Sequence, residues 1–223
     1  MTRISSTATA ALVTAVLTTP AFASVDLTVV YDNITGGIAE VGNALLSEAS
    51  RSIRFADEAT LSTDTTIAAI QWSGLYSDGD FQPGPLDDFT ITIYAESDDA
   101  FDRPGDLLAT FNVGNTVTRT DTGQSAAGFL DLYEYTAHIE FPMQAGVTYW
   151  FSIANDHGAQ GDTDDWFWGF DPVSGGLSAS SGNSGSSWSP STGDAFDFRL
   201  LVPAPASASL LALATIATAR RRR

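Results

Sequence analysis

The sequence predicts an all-β fold, a two-sheet antiparallel β-sandwich of jelly-roll type, with an address segment at either end. Three observations carry that expectation. Apolar and polar residues alternate with a period of two in segment after segment, clusters of Gly, Pro and Asp separate those segments, and no long stretch keeps the 3.6-residue apolar period of a helix. A period of two puts one set of side chains on a core face and the other in solvent, which is what a half-buried strand requires.

Taken in order, residues 27–31, 53–56 and 66–72 are the first strand candidates, with a short helical turn expected near 44–49. Phe89, Ile91 and Ile93 then alternate with Thr90, Thr92 and Tyr94, and residues 107–113 follow as a weaker strand. Tyr133, Tyr135, Ala137, Ile139 and Phe141 alternate with Glu134, Thr136, His138 and Glu140. Val147, Tyr149, Phe151 and Ile153 repeat the spacing, residues 166–170 give a further candidate, and Phe196, Phe198 and Leu200 close the set. Between them stand Asp78-Gly79-Asp80, Pro83-Gly84-Pro85, Arg103-Pro104-Gly105-Asp106, Asp121-Thr122-Gly123 and Gln144-Ala145-Gly146. Glycine supplies the positive φ that tight turns need and proline pre-sets the preceding one. About nine short strands joined in this way stack as two sheets. The absence of a fixed-period repeat argues against a propeller or solenoid.

The ends read differently. Residues 1–23 carry Arg3, an apolar stretch around 10–17, Pro20, and the small-x-small pattern Ala21-Phe22-Ala23 before Ser24. That is the layout of a secretory signal peptide cleaved between Ala23 and Ser24. At the other end, Val202-Pro203-Ala204-Pro205 precedes an apolar run over 206–219 and the cluster Arg220, Arg221, Arg222 and Arg223. The prolines disfavour helix before them, so a helix can start only after Pro205. Fourteen residues rise about 21 Å as a helix against a hydrocarbon core of about 30 Å, a marginal span. Arginines beyond such a span stay on the cytoplasmic side. The domain organisation expected is therefore a leader over 1–23, a sandwich over 24–202 and a sorting segment over 203–223.

Composition sharpens once these ends are set aside. The chain has no lysine and no cysteine, and five arginines face 27 acids between the two address segments, a net charge of −22 against −17 for the whole. Such a field repels nucleic acid and anionic membrane surfaces. Without cysteine, an envelope location brings no disulfides, so the fold rests on its core.

Three features bear on chemistry. Asp156, Asp162, Asp164 and Asp165, with Asn155 and His157, lie in one acidic loop, and clustered carboxylates are the oxygen ligands calcium takes. A single histidine offers too few nitrogens for a zinc site. Aromatic density is the second feature. Tyr76, Trp150 and Trp188 are the candidates for a sugar-stacking surface, because exposed rings pack on sugar faces. The third is a carboxylate pair of the glycosidase kind, Glu134 with Glu140 or Glu58 with Glu96. Set against it, the chain has no Gly-x-Ser-x-Gly elbow, no His-Glu-x-x-His, no phosphate loop and no cysteine nucleophile. Catalytic residues are therefore not assigned.

The tripartite C-terminus resembles the PEP-CTERM tail of bacterial proteins handled by exosortase, with Ala204 where that tail usually has glutamate. The body is similar to an uncharacterised sandwich domain common among such proteins. The similarity rests on Arg54-Phe55-Ala56-Asp57-Glu58, Ile70-Gln71-Trp72-Ser73-Gly74, Asp88-Phe89-Thr90-Ile91-Thr92-Ile93-Tyr94, Val147-Thr148-Tyr149-Trp150-Phe151-Ser152-Ile153 and Phe196-Asp197-Phe198-Arg199-Leu200. The resemblance implies signal peptidase and an exosortase-type enzyme as processing partners, transient inner-membrane anchoring, and a final place at the cell surface or in the extracellular polysaccharide matrix. The role expected is structural or adhesive and non-enzymatic. The alternatives are a carbohydrate-binding module using the exposed aromatics, and a glycan-active enzyme.

Overall fold

The period-two segments fold as strands. The computed structural model describes residues 26–34, 43–77, 87–126, 130–156, 165–171 and 176–204. Among these lie β1 (Leu27–Asp32), β2 (Asn43–Leu46), β3 (Arg54–Thr60), β4 (Thr65–Tyr76), β5 (Phe89–Glu96), β6 (Pro104–Gly114) and β7 (Thr118–Ala126). They continue with β8 (Leu130–Met143), β9 (Thr148–Ala154), β10 (Trp166–Asp171), β11 (Leu177–Ser181), β12 (Ser189–Thr192), β13 (Ala195–Phe196) and β14 (Phe198–Pro203). The fold is all-β, built from two antiparallel sheets. One sheet runs β12-β11-β3-β9-β5-β6. In the other, β14 and β8 flank β4, β1 and β7 lie outside them, and β10 pairs the far end of β4 and carries β2 and β13.

The alternating apolar residues of both sheets meet in one core. Ile67, Ile70, Trp72 and Tyr135 from the sheet centred on β4 pack with Phe89, Ile91, Phe151 and Ile153 from the six-stranded sheet. Rings cross between the sheets edge to face or tilted: Trp72 on Phe89 at 5.4 Å, Phe89 on Trp166 at 5.1 Å, Phe151 on Phe198 at 5.5 Å. Such pairs add to the burial that drives the faces together.

One break in the alternation has a structural cause. Ile67 pairs with Phe141 but Ala69 pairs with His138, so two residues of β8 oppose one of β4 in a bulge. The bulge lets Ile67 and Ile70, three apart, both face inward. Residues 44–49 also differ from expectation: instead of a helical turn they give β2, in register with β10, followed by a 3-10 turn at Ala49–Arg51. Pairing with β10 outweighs the weak local preference of so short a segment.

Gly74 marks the tightest approach in the core. A Cβ there would fall 2.5 to 2.7 Å from the Trp166 indole. Gly74→Ala should therefore lose about 1–3 kcal/mol through displacement of that ring. Urea denaturation checks this, and an unchanged midpoint would mean that Trp166 moves freely.

Antiparallel order sorts the strand ends into two poles. Asp26, the 61–64 turn, the 97–103 hairpin, the 144–147 turn and Ala204 gather at one, which we call the strand-end pole. Chain entry and exit touch there, where Ala204 N donates to Asp26 O at 2.7 Å. The ends of β4, β7 and β9 and the starts of β5, β8 and β10 gather at the other, the loop-bearing pole. Ala21, Ala23 and Ser24, where a leader cleavage site is expected, and the 206–223 segment lie outside the described residues. Among the described residues no helix is long and apolar enough to cross a membrane.

Candidate functional site

Four segments converge at the loop-bearing pole on one carboxylate. Asp87, just before β5, accepts from the Tyr76 hydroxyl at 2.5 Å and from Asn155 Nδ2 at 2.9 Å through Oδ1. Its Oδ2 lies 2.6 Å from Arg119 Nε and 2.5 Å from Arg119 Nη2. The Asp87 side chain is wholly buried. Burial, then the neighbouring Tyr135 and Asp87, hold the Tyr76 phenol far above its ordinary range, so it keeps its proton and donates. Asn155 spends its remaining groups on the frame: Oδ1 accepts from Asp88 N at 2.9 Å, its N donates to Ser47 O, and its O accepts from Ala49 N. A buried charge is tolerated because each carboxylate oxygen has a donor, Tyr76 and Asn155 on Oδ1 and Arg119 on Oδ2.

The stubs of the neighbouring loops are tied to this hub. Asp156 N donates to Asp88 O at 3.1 Å, Ser77 N to Asp165 O at 3.0 Å, and Asp165 N to Ser77 Oγ at 3.1 Å. Arg51 Nε sits 2.6 Å from Asp165 Oδ1. Of the four aspartates expected to hold calcium, Asp156 and Asp165 thus anchor the two ends of the acidic loop, whereas Asp162 and Asp164 lie outside the described residues. Among the described residues no group of three or more His, Cys, Asp or Glu is placed to hold a metal ion.

The expected sugar-stacking aromatics are not a surface. Tyr76 is 2 %, Trp150 0 % and Trp188 6 % exposed, which corrects the expectation for all three. Tyr76 points into the core against Tyr133. Trp150 does lie on the outer face of the six-stranded sheet, but the 182–188 segment folds back over it. Trp188 closes on Tyr94 at 5.4 Å, and Trp150, Trp188, Tyr94, Ala56 and Ala179 form a second small core. Trp150 Nε1 donates to Glu96 Oε2 at 3.1 Å, and Arg103 Nη1 donates to the Trp188 carbonyl at 3.0 Å. At Gly185, with φ +85°, a Cβ would meet the Tyr94 hydroxyl at 2.7 Å, so this covering segment needs glycine there.

The carboxylate pairs fare differently. Glu134 and Glu140 share a strand face six residues apart, about 20 Å, beyond the spacing a glycosidase uses. Glu134 instead accepts from Gln71 Nε2 at 3.0 Å and neighbours Arg199, which pairs with Asp32. Glu140 and His138 line an open groove of about 630 Å3 at the β4–β8 bulge, with Thr66, Ala68, Phe111 and Pro203. Glu58 and Glu96 are brought near each other across β9, since Glu58 faces Trp150 and Trp150 faces Tyr94. Burial, then Glu96 and Asp102, raise the half-buried Glu58 carboxyl above its usual range.

A second buried carboxylate clasps the sheets together. Asp57 on β3 accepts from Phe196 N at 2.5 Å, Asn33 Nδ2 at 3.0 Å and Glu58 N at 2.6 Å. Burial pushes its carboxyl well above the ordinary value, the Phe196 and Glu58 amides oppose this, and the Glu58 and Asp197 carboxylates add to it. A raised acid is more readily protonated folded than unfolded, so its stabilising term is complete below about pH 4 and is lost as pH rises through the folded value. Asp57→Asn removes that term. The melting-temperature gap between wild type and variant should be widest near pH 4 and shrink with rising pH, with Glu58→Gln as control for the neighbouring group. A gap that widens with pH would reverse the sign and refute the assignment.

Asp87, Arg119 and Asp57 were not singled out as site residues by sequence reasoning, and Asn155 entered only as a neighbour of the acidic loop. A signal existed for one of them: Arg119 is one of five arginines in an otherwise acidic body, set alone in a Thr-rich strand. No family model, no curated protein and no solved structure matches the chain.

Proposed function

We propose that the chain is a secreted protein of the cell surface or extracellular matrix, sorted by an exosortase-type enzyme, whose body acts structurally or adhesively rather than by turnover. One observation supports this above the others: Asp26 and Ala204 meet at the strand-end pole, so a leader and a membrane-inserted tail would leave the body from one side and present the opposite pole outward. The sequence of the tail supports the sorting route, and the engagement of Asp87, Asn155 and Arg119 in holding loop bases supports a contact role for that outward pole. We take the fold to be a jelly roll. The orders β1-β14-β4-β8 and β3-β9-β5-β6 support this, being those of two interlocked Greek keys.

Processing tests the reading. Intact-mass analysis of protein released by the native host should give a chain starting near Ser24 and ending near Pro205. Most molecules still carrying Arg220 to Arg223 would sink the sorting route.

A further inference from the structure

The exposed large apolar side chains among the described residues are Val29, Val30, Phe101, Leu107, Leu108 and Val147. Two of them stand at the tip of the strand-end pole. Phe101, 60 % exposed, is in the 97–103 hairpin, and Val147, 40 % exposed, is in the 144–147 turn beside it, next to the start of β9 that pairs with the end of β5. Arg103 lies 5.7 Å over the Phe101 ring. An aromatic ring with a long cationic side chain suits a membrane interface, where the apolar part enters the acyl boundary and the charge stays with the headgroups.

The chain leaves the fold at this same pole. Only Pro205 separates Ala204 from the apolar run at 206–219, and one residue spans about 3.3–3.6 Å. An inserted run would therefore hold the strand-end pole against the headgroups with almost no linker. Leu107, also 60 % exposed, continues the apolar flank of the hairpin about 10 Å along β6 from Pro104. Asp98, Asp99, Asp102 and Asp106 surround the hairpin, so the surface it fits is one of low net charge; anionic headgroups would repel it.

We propose that the pole bearing Phe101 and Val147 rests on a zwitterionic bilayer interface while the C-terminal segment is inserted, and so holds the loop-bearing pole away from the membrane. This rests on the sorting reading above, and the test separates the two. The chain has no cysteine, so a single Ala100→Cys substitution gives one attachment site for an environment-sensitive nitrobenzoxadiazole probe beside Phe101. Ser125→Cys, exposed on β7 towards the opposite pole, is the reference. The full chain is reconstituted with phosphatidylcholine vesicles, floated on a density gradient and exposed to aqueous dithionite. The probe at 100 should be reduced several-fold more slowly than the probe at 125, and adding Phe101→Ser with Val147→Ser should abolish the difference. Equal rates at 100 and 125 in chains that float would overturn the proposal and leave the sorting reading standing. Chains that fail to float would overturn both.

Discussion

Asp87→Ala lowers the unfolding free energy by about 3–5 kcal/mol, the loss expected when one partner of a buried, hydrogen-bonded charge pair is removed. The carboxylate is the shared acceptor of Tyr76, Asn155 and Arg119. Without it, an Arg119 guanidinium only 19 % exposed keeps its charge with no counter-ion, and two further donors lose their acceptor. Natural domains of this size are stable by about 5–15 kcal/mol, so the variant sits near the edge of folding. Arg119→Ala strands the opposite charge and should cost a similar amount, and the double variant should cost much less than the sum, because the two changes remove one interaction. Urea denaturation of the three variants reads this directly. A loss below about 1 kcal/mol for Asp87→Ala, the range of an exposed pair, would show that water satisfies the site.

The sheets were legible where burial is one-sided. β8 faces the core with Tyr133, Tyr135, Ala137, Ile139, Phe141 and Met143 and exposes His138, Glu140 and Pro142, so its period is clean in the sequence. β11 and β12 carried no such signal: built largely from Ser and Ala, they form by pairing outward from β3. Asp121-Thr122-Gly123 reads as a turn, yet β7 runs through it. The register with β8 shifts between Asp121 and Ser125, and Gly123 takes φ +68°, so the same local chemistry makes a bulge instead of a reversal. A turn signal fixes backbone geometry, not whether a partner strand continues beside it.

Sites were less legible, for a related reason. Period two assigns a side chain to a face but says nothing of what covers that face. Trp150 alternates correctly to the outside of its sheet, and only the return of the 182–188 segment, distant in sequence, buries it. The Asp87 hub joins residues 76, 87, 119 and 155, which lie in four separate segments, and nothing in the local sequence of any one of them points to the other three. Glu58 and Glu96 were paired by type and are neighbours in space, while Glu134 and Glu140, equally plausible by type, are held apart by the rise of a single strand.

The covered indole gives the second large effect. Trp150→Ala should cost about 3–5 kcal/mol, because it empties the small core beneath the 182–188 segment and frees Glu96 Oε2 from its donor. Trp188→Ala should cost less: its ring is the lid of that core, 6 % exposed, with neighbours mainly on one side. The carbonyl that accepts from Arg103 belongs to the backbone of residue 188 and stays in the variant, so the hairpin that carries Phe101 keeps that tie. Thermal melts, near-ultraviolet circular dichroism and affinity electrophoresis on the host's polysaccharide should be run on both variants together. If Trp150 is a structural ring, stability and near-ultraviolet signal fall in parallel, and Trp150→Phe recovers much of both by refilling the space. If it were a ligand platform, Trp150→Ala would keep its melting temperature and lose only retention on polysaccharide, and that single result would contradict the burial of the indole and reopen the stacking surface.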